Sequence, residues 1–295
     1  MARNKKGSVY DVERQLAEGE ICDIFLARAA NLVRKERWED DLVVLKVAAD
    51  KDQNVYVEHE AATIRHLHDG VKASGIPDGM LWKLSWLLDS YTDDTGVSVN
   101  VMKYATGYYT LEEIRYMYPE GVPPDHVAWM FNRMLEAITV AHEVGVVHGA
   151  VLPCHMLIRS GDESDPLRHS GILIDWCYAV HQGQHGVWPH LTSMSEQYEA
   201  FYPPEVHRRE PATPATDIFM AASCAIYLLG GEVTTGWVPE STPWQMGRIF
   251  REYCRHNNPG ARPRDAWVLR REFMAMLRQV YGPRTFVHLP IPPRS

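Results

Sequence analysis

The apolar residues of this chain change their spacing once, near Gly107, and that change limits the possible folds more than any single residue does. Before it, β-favouring runs at residues 9–12, 21–26 and 42–47 predict three successive antiparallel strands. Val57, Ala61, Ile64 and Leu67 then follow helical spacing, and two further strands are expected at 84–88 and 97–104, joined by a turn at 93–96. After Gly107 the pattern is mostly helical. Thr110 and Glu113 form a capping box, and Val127, Phe131, Met134, Leu135 and Ile138 line one face of a helix over 124–142. Short strands are expected at 156–158 and 171–174, then an irregular stretch to Pro204 and helices over 216–229, 244–253 and 264–281. The expectation is an α+β chain. It has a small β-rich lobe with one main helix (1–104), a larger mostly helical lobe (105–281) and an extended tail (282–295).

Composition narrows the class. With 295 residues, 45% hydrophobic and 23% charged, the chain can bury a substantial core and is neither collagen-like nor disordered. A net charge of −8 disfavours a nucleic-acid binder. Five scattered cysteines without a C-x-x-C pair, and no apolar leader, lead to an expectation of a reducing, cytoplasmic setting. The longest apolar stretch, 218–229, is too short to span a bilayer, so no membrane partner is expected. All eight lysines lie at or before Lys103; beyond it every fixed positive charge is arginine.

Order gives weak single residues their weight. A turn around Gly19 joins two strands, Lys46 lies on the third, and Glu60 sits on the helix that follows. Then come His148-Gly149-Ala150, His155-Met156-Leu157, Asp175-Trp176-Cys177, Pro204-Glu205, Asp217 inside an apolar helix, and Arg262-Pro263. This series resembles the eukaryotic-type protein kinase superfamily over residues 9–281. The resemblance implies a bilobal kinase-like fold that takes ATP or another nucleotide with magnesium or manganese. It makes Lys46 the phosphate-binding lysine, held by Glu60 in preference to the competing Glu58, and Asp175 the metal-binding aspartate. It also assigns Met102 and Tyr104 to the hinge, Val44 and Leu157 to the adenine, Glu205 and Arg262 to a structural ion pair, and Asp217 to support of the catalytic loop.

The pattern breaks where the chemistry is done. Ala150 occupies the catalytic-base position, Leu152 that of the γ-phosphate lysine, and His155 that of the second metal ligand. Imidazole suits zinc or manganese better than magnesium, and the plainer role for His155 is a hydrogen-bonded loop residue. No Asp, Glu or Lys lies between His148 and Ile158, so realignment restores none of these groups. Of three phosphate-loop glycines only Gly19 remains, beside Glu18, Glu20 and Asp23, whose charges would repel a triphosphate unless they face solvent. His181, His185 and His190 offer a zinc site or, more simply, a histidine-bearing loop. The expectation is a pseudokinase acting as a nucleotide-responsive binding or regulatory module with another protein as partner, transfer being weak or absent. A divergent active Ser/Thr-type phosphotransferase relying on Asp175 is the alternative.

Overall fold

A computed structural model describes residues 2–3, 9–19, 21–29, 41–161, 169–283 and 285–291. Its strands are β1 (Ala2–Arg3), β2 (Val9–Ala17), β3 (Cys22–Ala29), β4 (Leu42–Ala48), β5 (Leu87–Thr92), β6 (Ser98–Lys103), β7 (Tyr109–Thr110), β8 (Val146–Val147), β9 (Met156–Arg159), β10 (Ser170–Leu173) and β11 (Val180–His181). The α-helices are α1 (Asn54–Ser74), α2 (Leu111–Met117), α3 (Pro124–Glu143), α4 (Pro204–His207), α5 (Pro214–Leu228), α6 (Trp244–Arg248) and α7 (Ala266–Tyr281). The chain divides into two compact units. The smaller is Met1–His68 with Ser85–Thr106, and the larger is Asp69–Leu84 with Gly107–Ser295.

In the smaller unit β1 to β6 form one antiparallel sheet in the order β1-β2-β3-β4-β6-β5. Alternation turns Ala27, Ala29, Val43, Leu45, Val99 and Val101 into a common core with Tyr10. From α1, Val57, Ala61, Ile64 and Leu67 are buried, the face expected from their spacing. Asn54 fastens the start of this helix: its Nδ2 donates to Gly96 O (2.9 Å) and its Oδ1 accepts from Ser98 N (2.8 Å).

The larger unit is built on α3 and α5. Helix α5 is apolar around its whole circumference, and nearly every side chain on it is buried, which makes it a central helix rather than a surface one. Phe131 on α3 meets Phe250 and Phe273 edge to face, each with centroids 4.9 Å apart. The capping box of Thr110 and Glu113 is present, with Thr110 Oγ1 accepting from Glu113 N at 3.0 Å. Several boundaries differ from expectation: β2 runs on to Ala17, and α5 begins at Pro214. A 3₁₀ turn over Asp78–Lys83 delays β5 to Leu87, while Leu84 bridges to Leu173. Asp265 caps α7 by accepting from Trp267 N and Val268 N, so that helix starts after residue 264. The helix from Trp244 changes to π-helical pairing over Ile249–Cys254. No helix among the described residues is long and apolar enough to cross a membrane.

Candidate functional site

In the smaller unit, Lys46 on β4 is buried, and its Nζ lies 3.1 Å from Glu60 Oε1 on α1. A charge is held in such a place only when paired and hydrogen-bonded. Glu58 takes no part, since its Oε1 accepts from Ser98 Oγ at 2.8 Å. A third side chain completes the arrangement. Asn100 on β6 stands opposite Lys46 in the sheet, and its amide donates to Glu60 Oε2 (3.1 Å) and to Val57 O (2.7 Å). Val44 and Met102 are cross-strand neighbours, with Met102 buried and Val44 and Tyr104 half-buried. Gly19 and Glu18 are exposed; Asp23 accepts from Gln15 Nε2 at 3.3 Å, and Glu20 lies outside the described residues. Cys22, where the family has a glycine, packs with Ala48 and Val57.

In the larger unit the segment 148–155 follows β8, which pairs with β11 just beyond Asp175. Asp217 on α5 is wholly buried and fixes the start of this segment. Its Oδ2 accepts from His148 N and its Oδ1 from Gly149 N, both at 2.8 Å, while His142 Nε2 lies 2.9 Å from Oδ2. His148 donates from Nε2 to Ile174 O (3.0 Å) and accepts at Nδ1 from Ala150 N (3.1 Å), a pattern open only to the neutral ring. Burial lowers its pKa to about 4 against the opposing pull of Asp217.

Ala150 and Leu152 are both 0% exposed. Gly149 has φ +74°, and a Cβ there would lie 2.5 Å from Leu191 Cδ2 and 3.1 Å from Tyr178 O. The glycine thus leaves room for the buried Leu191 where the family carries an arginine. His155 donates from Nδ1 to Ala150 O at 2.9 Å, and its Nε2 faces Asp175 Oδ2 at 3.5 Å. Burial opposes its charge, but neighbouring Cys154 and Asp175 outweigh that and raise its pKa to about 9. His155 thus has its Nδ1 committed to the Ala150 carbonyl and its Nε2 turned toward Asp175, the other residue expected to ligate a metal. Asp175 itself has φ +67° and accepts from Cys177 N at 3.5 Å, a left-handed conformation uncommon outside glycine. For magnesium, a hard cation, the larger unit presents one carboxylate beside an imidazole where the family carries a carboxylate and an asparagine.

Leu157 is half-buried on β9, paired with Ile172 and Thr110. Glu205 and Arg262 form a buried bidentate pair at 2.6 and 2.9 Å, and the guanidinium lies over Phe219. His181, His185 and His190 do not come together as a metal cluster among the described residues.

A sheet-based unit with a buried lysine–glutamate pair, and a helical unit with an aspartate-braced loop, define a protein-kinase-like fold. The backbone agrees with the crystal structure of the BubR1 kinase domain at a TM-score of 0.71, covering 95% of this chain and 83% of that one at 14% identity. In sequence the chain is 30% identical over 162 residues to serine/threonine-protein kinase PknF of Mycobacterium tuberculosis, and equally to its Mycobacterium bovis counterpart. The match spans 53% of this chain and 30% of PknF, and no family model matches. The chain thus has a protein-kinase-like fold, and it spans less than a third of the length of the serine/threonine-protein kinases it resembles in sequence.

Proposed function

We propose that this chain is a pseudokinase, a nucleotide-responsive binding or regulatory module for another protein, in which the loop that transfers phosphate in its relatives has become a structural segment. The observation that carries this reading is the closure of that loop. Ala150 and Leu152 are fully buried at the base and lysine positions, and His155 neutralises Asp175. A general base contributes about 10²–10⁴-fold to such a reaction, and no group at these positions can accept the proton of an attacking hydroxyl. The intact Lys46–Glu60 pair supports retained recognition of a nucleotide's phosphates.

That same pair favours a second reading, a divergent serine/threonine-type phosphotransferase that relies on Asp175. One experiment separates the two: thermal shift with ATP and ADP, with and without Mg²⁺ or Mn²⁺, run beside a phosphate-transfer assay. A nucleotide-dependent shift lost in Lys46→Met, with no transfer, is the expected result. Transfer above background that Lys46→Met and Asp175→Asn both abolish overturns the pseudokinase reading. The absence of any shift removes the nucleotide and leaves a protein-interaction module.

A further inference from the structure

Glu136 on α3 gathers more positive charge than it can balance. Its carboxylate is buried and accepts from Arg133 Nη1 on both oxygens at 2.7 Å and from Arg270 Nη2 on Oε1 at 2.8 Å. Lys83 Nζ lies 3.2 Å from Oε2, and Asn132 Nδ2 donates to Oε1 at 3.5 Å. The three cations come from three elements of the larger unit: the 3₁₀ turn over Asp78–Lys83, α3 and α7. Among the described residues no other carboxylate lies within ion-pair distance of any of them, so two positive charges stay uncompensated.

Glu136 does not need three partners. One guanidinium suffices for a buried carboxylate, as Arg262 does for Glu205. Each further cation is set against like charge with only 14% (Lys83, Arg133) or 20% (Arg270) of its side chain exposed, an unfavourable arrangement until another anion enters. Donors for that anion are in place. Arg133 Nε and Arg270 Nε are buried without a hydrogen-bond partner, which is rare in folded chains, and Arg133 Nη2 and Arg270 Nη1 make no bond among the described residues. The Arg270 guanidinium also lies 5.0 Å over the Trp267 ring, which helps to hold its orientation. We propose that Lys83, Arg133 and Arg270 form a binding site for a phosphate monoester.

Charge and shape together select the phosphate. A phosphate monoester carries about −1.5 to −2 charges at pH 7, which matches the excess of two, whereas a carboxylate balances only one. Its three terminal oxygens also suit two guanidinium forks and an ammonium, an arrangement in which each hydrogen bond is charge-assisted. The partial exposure of all three cations leaves the site open at its rim. A phosphorylated side chain of a partner protein and a small phosphorylated molecule both present this group.

Isothermal titration of the full chain with inorganic phosphate, a phosphoserine peptide and the same peptide without its phosphate tests this, with acetate at equal ionic strength as the control. Saturable binding of phosphate or the phosphopeptide, and none of acetate or the plain peptide, is the expected result. Tighter binding of the phosphopeptide assigns the group to a partner protein, and tighter binding of inorganic phosphate assigns it to a small molecule. Arg270→Gln and Lys83→Gln each leave Glu136 paired with Arg133, and each should weaken binding about tenfold or more, the loss of one charge-assisted hydrogen bond. If one variant fails to fold, the other decides. If neither folds, hydrogen exchange of the unmodified chain decides, since phosphate must then protect the peptides around residues 83, 133 and 270. The proposal is overturned if neither phosphate binds, if acetate matches it, if the variants bind as tightly as the unmodified chain, or if those peptides gain no protection.

Discussion

At the scale of single residues, the smaller unit depends on how Glu60 is held. Removing one partner of a buried ion pair leaves the other charge unpaired and costs about 3–5 kcal/mol, whereas replacing both with apolar groups is often near neutral. Lys46→Met and Glu60→Leu singly are thus expected to destabilise the chain by that amount in urea unfolding, and the double variant by less than the larger single loss. Asn100→Leu should cost about 1–3 kcal/mol, because Val57 O and Glu60 each lose a donor. The preference for Glu60 over Glu58 was legible in the sequence: Glu60 shares a helix face with Ile64 and Leu67, and Glu58 does not. Asn100 carried a fainter signal, a polar residue inside the apolar run Val99-Asn100-Val101, whose partner only the register of β4 against β6 reveals.

At the scale of elements, the segment 148–155 is set by two histidines that titrate in opposite senses. His148 is held neutral, so its contribution is present above about pH 6.5 and is lost as pH falls toward 4. His155 is held charged, so its contribution is complete below about pH 6.5 and is lost as pH rises through 9. Thermal midpoints measured from pH 4 to 10 should therefore decline on both sides, and His155→Gln should flatten the alkaline decline while leaving the acid one. Gly149→Ala is expected to destabilise by about 1–3 kcal/mol, since φ +74° is strained for alanine and its methyl would press on Leu191. The missing base at position 150 was legible as a departure from the family pattern. The buried Leu191 behind Gly149, and His142 beside Asp217, were not, because both contacts join residues distant in sequence. For the same reason the boundary of α7 was placed early: Asp265 reads equally well as a helical residue until its carboxylate is seen accepting from Trp267 N and Val268 N.

At the scale of the whole molecule, the question is whether the departures from the kinase pattern stand one substitution away from it or several. The smaller unit keeps the ion pair that kinases use for phosphates, so its sequence remains compatible with transfer. In the larger unit the departures from that pattern are mutually adjusted. Ala150 is buried and gives its carbonyl to His155, His155 faces Asp175, and the chain before them is braced by Asp217 with no space for a side chain at Gly149. An aspartate at position 150 or a lysine at 152 would enter a fully buried place, where an unpaired charge is strongly unfavourable. The triple change Ala150→Asp, Leu152→Lys and His155→Asn lets the two new charges pair, yet it also removes the cation that faces Asp175 and the donor to the Ala150 carbonyl. The expected outcome is a chain several kcal/mol less stable in urea unfolding and still without phosphate transfer. A triple variant that folds with unchanged midpoint and phosphorylates a generic hydroxyl substrate would instead mean that the loop is a dormant catalytic segment rather than a structural one.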